Sequence, residues 1–197
     1  MNKQKIFYPA TAVTSVALDK TTLALTIGDA GQLTATVAPE DATDKAVTWS
    51  SDKTSVATVD ATGKVTAVAA GEATITATAG DKTAICKVTV VKKAGAISYT
   101  TTSINKTFGE ANFTNELTKT GDGTVTYTSS DTSVASVSNV SPNNGLVTIL
   151  GTGIVTITAT VTDGENYTYA KKTAEYTLTV KPTSGIQNYN NGDTQTW

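Results

Sequence analysis

Nucleophilic and acid–base catalysis demand particular side chains, and this sequence supplies few of them. It has no histidine and a single cysteine, Cys86, so neither a Ser-His-Asp nor a Cys-His arrangement can be assembled. Structural zinc, which needs several Cys or His ligands, is excluded on the same ground. The 17 acidic residues would suffice for a paired-carboxylate glycosidase, but they fall singly in turns and on polar faces. Hard oxygen ligands of the kind calcium takes occur in Gly121-Asp122-Gly123 and in Asp163-Gly164-Glu165-Asn166. Neither stretch has EF-hand spacing, and tight-turn chemistry is the expected role of both. A Lys-Asn isopeptide crosslink would need a Lys, an Asn and a buried acid to converge, and is not expected. The sequence therefore predicts no enzyme, no cofactor and no metal.

Binding chemistry has more candidates. Tyr167, Tyr169 and Tyr176 cluster late in the chain, where exposed rings would stack on a sugar or a partner protein and edge-strand packing is the plainer role. Ile6, Phe7 and Tyr8 interrupt an otherwise polar start, and Tyr189 and Trp197 do the same near the end. Apolar groups on polar extensions suit docking to a neighbour, for example as an added strand. Nucleic acid is not an expected partner: net charge is −2 and all 15 basic residues are Lys, leaving no guanidinium fork for phosphate or guanine.

The elements that must position these groups are strands. Threonine alternates with apolar residues, as in Thr74-Ile75-Thr76-Ala77-Thr78 and Thr156-Ile157-Thr158-Ala159-Thr160, the pattern of a half-wetted pleated surface. Helical periodicity is absent and no apolar run is long enough to cross a bilayer. Strands are expected at 15–18, 22–26, 31–37, 47–51, 56–60, 64–68, 71–79 and 83–91, separated by turns such as Pro39-Glu40-Asp41, Thr62-Gly63 and Gly80-Asp81. Alternation sends Leu33, Ala35 and Val37 to the core, with Trp49 as a large anchor between sheets and Cys86 as a small buried residue.

The pattern is written twice. Val47-Thr48-Trp49-Ser50-Ser51-Asp52-Lys53-Thr54-Ser55-Val56-Ala57-Thr58-Val59 returns as Val125-Thr126-Tyr127-Thr128-Ser129-Ser130-Asp131-Thr132-Ser133-Val134-Ala135-Ser136-Val137. Insertions around Pro142-Asn143-Asn144 and near 163–172 lengthen the second copy, where loops tolerate added residues. The expected organisation is an arm at 1–12, an all-β sandwich at 13–92, a second at 96–181 and a tail at 182–197. Each copy closes its own core.

The segments Ser15-Val16-Ala17-Leu18, Val47-Thr48-Trp49-Ser50-Ser51, Val56-Ala57-Thr58-Val59-Asp60 and Gly71-Glu72-Ala73-Thr74-Ile75-Thr76-Ala77 resemble the group 2 bacterial immunoglobulin-like domain. The first copy matches nearly throughout; the second keeps 127–137 and 153–160. That resemblance implies two tandem immunoglobulin-like β-sandwiches with short terminal extensions and no shared catalytic residues. Its members are stalk and adhesin modules of bacterial surface proteins and appended domains of tailed-phage virion proteins.

Lysines near Met1 are followed by no apolar stretch of signal-peptide length, and a surface-type fold without an export signal is expected in a particle assembled in the cytoplasm. The expectation is a non-enzymatic bacteriophage virion component, a capsid decoration, head-fibre or tail protein, exposed on the virion surface with capsid or tail proteins as partners. The alternatives are a fragment of a secreted bacterial surface protein or adhesin, meeting host surface proteins or glycans, and an accessory carbohydrate-binding module. Membrane insertion is not expected.

Overall fold

Strand-forming threonines and valines separated by Gly, Pro and Asp turns produce a structure of strands alone among the described residues. The computed structural model describes residues 9–183, so the candidates Ile6, Phe7, Tyr8, Tyr189 and Trp197 lie outside the described residues. Two compact units result. The first runs to Ala94 and includes Gly164–Thr168; the second is Gly95–Asp163 continued from Tyr169.

The first unit contains β1 (Ser15–Leu18), β2 (Thr22–Thr26), β3 (Ala30–Gln32), β4 (Ala35–Ala38), β5 (Thr48–Ser51), β6 (Ala57–Val59), β7 (Lys64–Ala67), β8 (Gly71–Ala79) and β9 (Lys82–Val91). They form a four-stranded sheet β2-β9-β8-β5, a three-stranded sheet β3-β7-β6 and a two-stranded pair β1-β4. All pairings are antiparallel except β2 with β9, which run parallel with Thr22 opposite Lys87. The remaining strands belong to the second unit, except that Lys93, Ala94, Tyr167 and Thr168 fall in the first: β10 (Lys93–Tyr99), β11 (Ser103–Thr107), β12 (Phe113–Thr114), β13 (Leu117–Thr120), β14 (Val125–Ser129), β15 (Ala135–Val137), β16 (Leu146–Ile149), β17 (Gly153–Val161), β18 (Tyr167–Tyr169) and β19 (Thr173–Lys181). Its sheet β11-β19-β17-β14 repeats the first unit's order, parallel pair included, and β12-β16-β15 repeats β3-β7-β6. The sequence repeat is therefore a repeat of topology.

Period-two alternation fills the space between sheets. Ala73, Ile75, Ala77 and Ala79 of β8 face inward with Cys86, Val88 and Val90 of β9, onto Leu33, Val65 and Ala57 from the opposing strands. In the second unit Val155, Ile157, Ala159 and Val161 take the same places beside Tyr176, Leu178 and Val180. No polar or charged residue is buried among the described ones. Cys86 is fully buried, and burial pushes its thiol above the ordinary range.

Two expectations are refined. The strand read at 31–37 is two strands, β3 and β4, which belong to different sheets. Between them Thr34 is held by Asp19, whose carboxylate accepts the Thr34 N–H at 2.7 Å while the Asp19 N–H donates to Thr34 O at 3.0 Å. This exchange satisfies the backbone where it changes sheets. Trp49 is half-buried at a sheet edge rather than enclosed. Its indole covers Gly63, which sits at φ +82°, and a Cβ there would lie 2.7 Å from Trp49 Cζ2. Tyr127 covers Gly145, at φ +78°, in the same way.

The two cores differ at one buried pair. Where alignment places Leu18 and Cys86 in the first unit, the second has Tyr99 and Tyr176, packed edge to face with centroids 4.9 Å apart. Desolvation pushes the Tyr176 phenol up to about 12, and its hydroxyl is buried with no hydrogen-bond partner among the described residues. An unpaired buried hydroxyl costs about 1–3 kcal/mol. Tyr176→Phe should therefore leave the second unit as stable or more stable, by up to about 1 kcal/mol, read as an unchanged or raised urea midpoint.

Candidate functional site

What each unit offers a partner is its outer sheet faces, its turns and its strand edges. On the outer face of β8 stand Thr74, Thr76 and Thr78, level with Lys87, Ile85 and Thr83 of β9. The second unit presents Thr156, Thr158 and Thr160 opposite Thr177, Glu175 and Thr173. These faces are hydroxyl-rich and nearly flat in chemistry. Their hydroxyls bond locally, as Thr158 does to Glu175 Oε1 at 3.2 Å.

The carboxylates serve the turns. Asp60 Oδ1 accepts the Thr62 hydroxyl at 2.6 Å and the backbone N–H groups of Thr62 and Lys64. Asp131 accepts the Ser133 hydroxyl and N–H in the turn between β14 and β15. The hydroxyl bonds lead in holding both carboxyls below their usual range, and at Asp19 the Lys20 ammonium leads. All three are solvent-facing groups fixing loop geometry, and among the described residues no three Asp, Glu or Cys gather as a metal site would require.

Both loops with calcium-type ligands hold a lysine ammonium instead. Lys119 Nζ donates to Gly121 O at 2.8 Å and to Gly123 O at 2.7 Å. In the other loop the Lys172 ammonium donates to Asp163 Oδ1, and Lys92 Nζ donates to Gly164 O at 2.6 Å. Gly121 O, Gly123 O, Gly164 O and Asp163 Oδ1, oxygens a hard cation would draw on, thus already accept from lysine ammonium groups.

The tyrosines separate. Tyr167 is half-buried, with Lys93 Nζ 5.9 Å from its ring centroid. Tyr169, expected as a partner contact, is 2% exposed and offers no ring face to a partner. Its ring fills space left by two glycines: a Cβ on Gly95 would lie 2.5 Å from Tyr169 Cε1, and one on Gly123 2.6 Å from Cε2. Its hydroxyl accepts the Gly123 N–H at 3.1 Å. Tyr176 is likewise buried in the core.

Sequence reasoning missed a strand edge. In β5 the hydrogen-bonded partners of β8 are Thr48, Ser50 and Asp52, as the Asp52 N–H to Thr74 O bond fixes; Trp49 then points its N–H and C=O away from β8. Tyr127 does the same at the equivalent edge, β14. There the Asn139 carboxamide closes the edge, accepting the Tyr127 N–H at 2.6 Å and donating to Tyr127 O at 2.8 Å. The first copy has Ala61 at that position. The Asn-to-Ala difference was visible in the aligned copies, but nothing in the strand pattern marked it.

The profile described as bacterial Ig-like domain (group 2) matches residues 12–90 and 96–172. An uncharacterized protein of Clostridium acetobutylicum is 34% identical over 163 residues, 80% of this chain and 16% of that protein. Lacto-N-biosidase of Bifidobacterium bifidum is 47% identical over 114 residues, 57% of this chain and 10% of that one. An Ig-like virion protein of Serratia phage KSP90 is 45% identical over 82 residues, 40% of this chain and 32% of the relative. The chain thus spans a third or less of the length of each of these relatives.

Millimolar calcium or its removal with chelator should leave the thermal midpoint unchanged, since lysines occupy the loop oxygens; a calcium-dependent rise would contradict that. For the capping aspartates the folded-state pKa lies below the unfolded one. Their contribution is present above the unfolded carboxylate range, near pH 4, and is lost as pH falls from there through the lower folded-state values. The urea midpoint should hold from about pH 7 to 5 and drop below about pH 4, and Asp60→Asn should shrink that drop.

Proposed function

This chain belongs to the bacterial Ig-like domain (group 2) family, and from that premise we propose that it is a non-enzymatic structural component of a bacteriophage virion. In this reading it is a capsid decoration, head-fibre or tail protein whose sandwiches stand on the particle surface and meet capsid or tail proteins. The observation that carries it is the 45% identity to the Ig-like virion protein of Serratia phage KSP90. Supporting it, Asp60 and Asp131 cap turns, and the interior of each unit is apolar packing. Those features suit a rigid spacer that presents faces and edges.

A second reading is favoured by the 47% identity to part of Lacto-N-biosidase: tandem modules forming a non-catalytic portion of a larger bacterial surface or secreted protein. Antibody raised against the purified chain separates the two. Immunogold labelling of particles released by lysis is expected; label confined to the cell envelope or to secreted protein would replace the virion reading with the second one.

A further inference from the structure

The two units differ in how they finish the outer edge of the four-stranded sheet. In the second, Asn139 mimics a neighbouring strand by making both an acceptor and a donor bond to Tyr127. In the first, the equivalent N–H and C=O of Trp49 face outward, beside a groove of about 230 Å³ bordered by Val47, Trp49, Gln32, Thr34 and Thr62. Among the described residues those Trp49 groups have no partner, and by the same alternation Ser51 turns its own N–H and C=O to that side. Unpaired edge groups are a template for strand addition.

We propose that this edge pairs with the same edge of a second copy of the chain, antiparallel and about a two-fold axis. Two observations choose that occupant. Self-complementarity is the first. A two-fold axis through Ser50 places Trp49 opposite the second copy's Ser51, and Ser51 opposite its Trp49. Both residues face outward on both strands, so each opposed pair exchanges two N–H···O=C bonds and the outward groups of the four-residue strand are all used. A contact of this kind closes on itself, and assembly through it stops at two chains.

Charge is the second. The loop feeding the Thr48 end of β5 carries Glu40, Asp41 and Asp44 against Lys45, whose Nζ is engaged with Glu40 O. Lys53 follows the Ser51 end and is exposed. Antiparallel pairing sets the second copy's Lys53 level with Val47, at the end where the acidic loop enters, and the two-fold repeats the contact on the other side. Asp52 stays turned to its own sheet, its Oδ1 accepting the Thr74 N–H at 2.7 Å. A four-residue ladder buries far less than the roughly 1,200 Å² of a stable complex, so the pairing is weak in solution and strengthens where copies are held close together. The inference stands apart from where the protein resides.

Sedimentation and amide hydrogen exchange on the full chain test it. From about 10 µM to about 1 mM protein the chain should shift from monomer toward dimer, and the Trp49 N–H should exchange about fivefold more slowly at the higher concentration. The Tyr127 N–H, held by Asn139, should be protected equally at both. Lys53→Glu, which sets acid against acid in both halves of the contact, should weaken association about tenfold, whereas Lys53→Arg should keep it. Ala61→Asn, supplying the missing cap, should leave a monomer whose Trp49 is protected at either concentration. A chain that stays monomeric at the higher concentration overturns the proposal. So does a dimer whose Trp49 exchange is unchanged, association undiminished in Lys53→Glu, growth beyond two chains, or an Ala61→Asn variant with Trp49 protected and the dimer intact.

Discussion

A β-sandwich of this size must bury its apolar side chains while pairing the backbone groups it buries, and here, tyrosine hydroxyls apart, no polar or charged residue is buried among the described ones. Alanine, valine, isoleucine and leucine close each interior. Among the described residues the carboxylates and ammonium groups stay out of the core, and short Asp-centred networks at Asp19, Asp60 and Asp131 hold the connections.

Strand alternation made much of this legible from residues alone. Thr74-Ile75-Thr76-Ala77-Thr78 declares its two faces, and Ile75 and Ala77 are indeed fully buried while the threonines face out. The repeat predicted a repeated topology because each copy places its turn residues at matching points, and the order β2-β9-β8-β5 recurs as β11-β19-β17-β14. What local pattern missed depends on residues far apart in sequence. The break at Leu33-Thr34 is set by Asp19, and the burial of Tyr169 by glycines at 95 and 123. The edge closure by Asn139 depends on a loop reaching back to Tyr127. In each case a side chain substitutes for backbone or fills a void across a dozen or more residues, and pattern in one strand carries no trace of it.

The second copy has diverged by exchanging bulk between layers rather than by changing its plan. Tyr99 and Tyr176 stand where Leu18 and Cys86 stand in the first, and the added volume is accommodated as an edge-to-face pair with one hydroxyl unpaired. The enlarged turn around Pro142 keeps Gly145 beneath Tyr127 just as Gly63 lies beneath Trp49. The aromatic-over-glycine contact has thus survived both a Trp-to-Tyr change and a length change, marking it as a fixed point of the sandwich edge.

The parallel pairing of β2 with β9, and of β11 with β19, has a mechanical consequence. Within each unit an early strand lies alongside the last one and runs the same way, so tension drawing the unit's two ends apart slides these strands lengthwise past each other. Such a load is shared by the whole row of ladder bonds at once, unlike an unzipping load that opens a hairpin one rung at a time. Rupture under force is governed by the unfolding barrier rather than by equilibrium stability. Modest domains joined this way can therefore act as stiff tethers, resisting shear well beyond what their small cores would suggest.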